Sequence, residues 1–82
     1  MTTISAAASD NSINDSAAAF PAWVPGDKIT IAGFTGTAGN NQNATVVSRT
    51  ASKVVVTTTT PLVDDAAGES VTITSRTNVL KA

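Results

Sequence analysis

Short blocks of β-branched residues, each fenced by glycine, proline, asparagine or aspartate, constrain this chain to β structure. Lys28-Ile29-Thr30-Ile31-Ala32 alternates with period 2 and sets Ile29 and Ile31 on one face. Gly33-Phe34 ends that run, and the loop from Thr35 to Asn43 gathers Gly36, Gly39, Asn40, Asn41 and Asn43, a composition suited to positive φ. Ala44 to Thr50 reads as a second strand, with Val46 and Val47 on opposite faces. Ala51-Ser52 separates it from Lys53-Val54-Val55-Val56-Thr57-Thr58, a spacing that predicts a hairpin with a tight turn, or a slightly longer loop with a bulge. Pro61-Leu62-Val63 closes that strand, and Asp64-Asp65-Ala66-Ala67-Gly68-Glu69 reads as a solvated polar turn. Ser70 to Ser75 is a last strand, with Val71 and Ile73 on one face, and Arg76 to Ala82 is a tail in which Val79 and Leu80 can prolong it.

Residues 1–20 read as an N-terminal arm, set apart from a small β-domain over residues 21–82. Within the arm, Thr2-Thr3-Ile4-Ser5 and Ser12-Ile13-Asn14 are candidate strands joined by a Ser9-Asp10-Asn11 turn. The junction Phe20-Pro21-Ala22-Trp23-Val24-Pro25-Gly26-Asp27 is held extended by its prolines, and Pro25-Gly26 suits the centre of a type II turn. Four strands in the body and two in the arm predict an all-β fold, a small barrel or sandwich of four to six short antiparallel strands.

A chain of 82 residues is one domain with a thin core. It has no cysteine to form a disulfide and no histidine to help hold a structural zinc. Small scaffolds lean on some staple, so self-association as a homo-oligomer or docking onto a larger assembly is expected. The net charge of −1, with only Lys28, Arg49, Lys53, Arg76 and Lys81 as cations, argues against a nucleic-acid partner. No apolar run approaches the roughly 18 residues of a membrane span, and no secretory leader is expected. Hydroxyls are plentiful, but a serine or threonine nucleophile needs an activating base and no motif frames one. The expectation is therefore a protein that is not an enzyme, with no catalytic residue, no cofactor, no metal and no small-molecule substrate.

The run Val24-Pro25-Gly26-Asp27-Lys28-Ile29-Thr30-Ile31-Ala32-Gly33-Phe34, then Asn40-Asn41, then the Thr/Val hairpin 44–58, then Leu62-Val63-Asp64-Asp65-Ala66-Ala67-Gly68-Glu69-Ser70-Val71-Thr72-Ile73, resembles a β-module of tailed-bacteriophage structural proteins. Asp65 stands where that module has Glu, and Gln42 follows the Asn pair where it has Gly. The resemblance implies a virion component made in the bacterial cytoplasm. Its favoured role is a capsid decoration or cement protein that binds the major capsid protein and reinforces the shell. A tail, neck or fibre component is the alternative.

Several side chains are candidates for partner contact. Phe20 and Trp23 either cap one end of the barrel or anchor a neighbour. Val47 and Val55 lie on the hairpin face opposite Val46, Val54 and Val56; one face must be core, and the other is either an exposed partner patch or covered in a two-layer fold. Ile4 and Ile13 would let the arm add a strand to a neighbouring sheet. A carbohydrate-binding module is a rival of another class. It requires exposed aromatics, and only Phe20, Trp23 and Phe34 are available.

Overall fold

A computed structural model describes residues 2–76, so the tail positions Val79 and Leu80 lie outside the described residues. Six antiparallel strands form one sheet that curls into a half-barrel: β1 (Ile4–Ala7), β2 (Ser12–Asp15), β3 (Lys28–Ala32), β4 (Asn43–Arg49), β5 (Lys53–Thr58) and β6 (Thr72–Ser75). Their spatial order is β1-β2-β5-β4-β3-β6. A single 3-10 turn, Ala38–Asn40, interrupts the β3–β4 loop.

Period-2 alternation builds the core. Ile4, Ala6, Ile13, Ile29, Ile31, Ala44, Val46, Val54, Val56 and Ile73 are buried strand residues on the concave face. Phe20, Trp23, Phe34, Leu62 and Val71 come from the connections and fill the trough that the sheet leaves open. One layer of sheet thereby gains a core without a second sheet.

The N-terminal segment supplies two of the six strands, as its strand-forming reading allows. β2 pairs with β5 through Ser12, Ile13 and Asn14, and β1 pairs along β2. Ile4 and Ile13 are both 0% exposed. The reason is elementary: β5 would otherwise present a bare hydrogen-bonding edge and Val54 would lose its cover. The strand and turn assignments inside this segment agree with the structure, and Asn11 takes the left-handed conformation at φ 50°.

The β4–β5 hairpin carries an irregularity. Val46 faces Val56 and Ser48 faces Val55, so Val47 is an extra residue, a bulge that accentuates the local twist. Thr50 N–H donates to the Lys53 carbonyl at 2.7 Å, closing the two-residue turn at Ala51-Ser52. The Val24–Asp27 turn has the expected form: Gly26 sits at φ 97° and Asp27 N–H donates to the Val24 carbonyl at 3.0 Å.

After β5 the chain crosses one end of the half-barrel. It passes the far edge at β1, where Ala6 and Asp65 exchange both backbone bonds at 2.9 and 3.0 Å, then returns to start β6 beside β3. Gly33 permits that return. Its φ is +103°, and a Cβ there would stand 2.2 Å from the Ser70 carbonyl oxygen.

Two outcomes follow. Gly33→Ala should cost more than about 2 kcal/mol, since left-handed strain adds to a backbone clash, and chemical denaturation should show it as a lowered midpoint. Removal of residues 1–20 should abolish the cooperative thermal transition seen by circular dichroism, because it strips two of six strands and uncovers the β5 edge.

Candidate functional site

Two polar systems organise the ends of the half-barrel, and a third surface lies on its convex face. The first is the end crossed by residues 59–71. Four amide side chains bind there as substitute strand backbone, most of them both donating and accepting. Asn40 donates Nδ2 to the Val63 carbonyl at 2.9 Å and accepts Val63 N–H at 2.8 Å. Gln42 does the same with Thr60, at 2.8 and 3.2 Å. Asn41 does so with Phe34, at 2.8 Å each way. Asn11 accepts Leu62 N–H at 2.8 Å while donating to the Val56 carbonyl at 2.7 Å. Asn40 is wholly buried, as a satisfied amide can be.

The acidic run 64–69 is largely exposed, as expected of a polar turn, and its carboxylates also accept hydrogen bonds from neighbouring loops. Asp64 accepts Ala8 N–H at 2.7 Å, and Asp65 accepts the Thr37 hydroxyl at 2.6 Å. Glu69 Oε2 accepts Thr35 N–H, the Thr35 hydroxyl and Gly36 N–H at 2.7–2.8 Å. Each carboxylate ties the crossing segment to a neighbouring loop. Among the described residues no three acidic side chains gather as metal ligands would.

At the opposite end, buried Asp15 accepts the Thr3 hydroxyl, Ala17 N–H and Ala19 N–H. The Thr3 hydroxyl leads in holding this carboxyl below its ordinary value, and burial opposes it. Arg49 donates Nη2 to the Phe20 carbonyl. The Phe20 and Trp23 rings pack with centroids 5.8 Å apart, and both are buried. Of the two readings of these aromatics, the cap on the barrel end is the one the geometry matches.

The candidate contact residues therefore separate. Ile4, Ile13, Phe20 and Trp23 are spent on this chain's own interior. Val47 is 49% exposed at the bulge, and Val55, opposite Ser48, is half-buried. These two share the convex face and remain open to a partner. Sequence reading missed Val24 and Val63, exposed at 57% and 52%. Their prolonged loop context hid them, because period 2 says nothing of residues outside strands.

The convex face carries Thr30, Thr45, Thr57, Thr72 and Thr74 beside Lys28, Lys53, Val55 and Arg76. Two open depressions lie at the surface, about 280 Å³ beside Asn43, Thr45, Thr57 and Arg76, and about 420 Å³ beside Ala8, Asn11, Val56, Thr58 and Pro61. The first is the more polar and the second the more apolar, and both are open, so they match a surface contact better than an enclosed substrate. No family model matches the chain, and no curated protein or solved structure matches it.

Glu69 gives this architecture a pH signature. Its carboxyl is held at about 2, below the ordinary 4.5, first by Gly36 N–H and then by the Thr35 hydroxyl. A lowered folded-state value means that the stabilisation is complete above the unfolded value and is lost as pH falls toward the folded one. The thermal midpoint should therefore drop between pH about 5 and 2. Glu69→Gln should start lower at neutral pH and fall less across that window, so the two curves converge in acid.

Proposed function

We propose that this chain is a structural subunit of a tailed-bacteriophage virion, a capsid decoration protein that binds the major capsid protein and braces the shell. One observation carries the reading. The residues of the phage-like run are those that shape this fold. Gly26 and Asp27 build the turn into β3, Gly33 admits the returning chain, and Asn40 and Asn41 pin the loop. Gln42, the departure from the run, pins Thr60 and belongs to the same device.

The surface agrees with a binding role. Val24, Val47 and Val63 are exposed, and the depressions are open. Phe20, Trp23 and Phe34 are 4%, 8% and 1% exposed, which leaves the glycan-binding alternative without a stacking platform. Many weak contacts repeated by shell symmetry would then supply the reinforcement.

Particles made by the phage that carries this sequence provide the test. Antibody raised against the chain should label intact heads, and quantitative mass spectrometry should find it at a copy number on the scale of the major capsid protein. Label confined to tails would transfer the reading to a tail component. Absence from purified particles would end it.

A further inference from the structure

The convex face carries two cations in an awkward place. Arg76 N–H donates to the Lys28 carbonyl at 2.6 Å, continuing the ladder that pairs Ser75 with Ile29. Arg76 and Lys28 thus stand directly opposite each other on adjacent strands. Side chains of opposed residues share a face, and like charges so placed repel. The row continues without a break: Lys28 faces Thr45, and Thr45 faces Thr57. Arg76, Lys28, Thr45 and Thr57 therefore form one cross-strand line over β6, β3, β4 and β5.

The two cations are also aimed. Arg76 Nε donates to the Ile29 carbonyl at 3.2 Å, which lays the guanidinium across β3. Its side chain becomes one wall of the 280 Å³ depression, whose other walls include Asn43, Thr45, Thr57 and Thr59. Lys28 Nζ donates to the Thr45 hydroxyl at 3.1 Å on the same row. Lys53 forms an ion pair with Asp10, and no described carboxylate pairs with Arg76.

We propose that this depression is a carboxylate-binding site, which takes an acidic side chain from a partner protein between Arg76 and the Thr45–Thr57 row. With Nε tied down, the outer nitrogens of the guanidinium are left to grip a planar carboxylate, the geometry in which arginine binds best. Threonine hydroxyls and the Asn43 amide supply further polar contacts. An extended polyanion such as nucleic acid fits poorly, because Asp27 adjoins the pair and the chain as a whole is net negative. The assignment stands apart from the virion reading, since it concerns the free chain.

The test is an NMR titration of the full chain with a tetraglutamate peptide blocked at both ends. Shifts should centre on Arg76 Nε–H and on the amides of Thr45, Thr57 and Thr59, and should fade as salt rises from roughly 0.01 to 0.5 M. Arg76→Gln should weaken binding about ten-fold, and Lys28→Gln should weaken it by a similar factor. Lys53→Gln, at a lysine already paired with Asp10, should leave the affinity unchanged, and the dispersed amide spectrum of each variant checks that it folds. Absent shifts, equal losses in all three variants, or tighter binding of inorganic phosphate than of the peptide would each overturn the proposal.

Discussion

The fold depends on holding a strandless stretch of chain, residues 59–71, across the mouth of a half-barrel. A β-strand would satisfy its own backbone groups through a ladder, but this stretch has no continuous neighbour to pair with. Asn40 and Gln42 each match the N–H and C=O groups of one residue running past, and Asn11 accepts Leu62 N–H while donating to the Val56 carbonyl of β5. Carboxylates from 64, 65 and 69 anchor the later part. The crossing then brings Leu62 and Val71 over the trough, where both are fully covered. A chain of this length thereby encloses a core with six short strands and no cross-link.

Much of this was legible in the sequence. The four body strands follow from alternation, and the Pro25-Gly26 turn from the φ demands of its residues. The two short strands near the N-terminus were visible through Ile4 and Ile13. Their place in the sheet was not, because pairing with β5 is a contact between residues some 40 positions apart, as from Ile13 to Val54. No local pattern encodes a choice between one's own sheet and a neighbour's. The Asn-rich loop announced unusual backbone angles, but its amides act at a distance, on Val63 and Thr60. The acidic run was legible as an exposed polar turn, but the distant N–H and hydroxyl groups that its carboxylates accept were not. The Lys28–Arg76 pair escaped notice because the two residues become neighbours only through β3–β6 register.

Division of labour between the two faces explains the composition. Among the described residues the aromatics and most large aliphatic side chains are buried on the concave side. The convex face keeps Thr30, Thr45, Thr57, Thr72 and Thr74 beside a few cations, and threonine suits a strand as well as valine does yet carries a hydroxyl. Such a face stays wet with few charged residues. Where apolar groups do break through, at Val47 and beside it at Val55, they do so at the bulge. Binding surface of this kind is mild, in keeping with contacts that work by repetition.

The bridge between Ala6 and Asp65 has a consequence for how copies of this sheet can meet. It closes the β1 side, with Asp64 on Ala8 N–H extending the closure. Among the described residues β6 is hydrogen-bonded along one side alone. A strand added from outside at β1 would instead meet the obstruction at Ala6–Ala8, so the bridge shields part of the β1 edge from pairing with another chain.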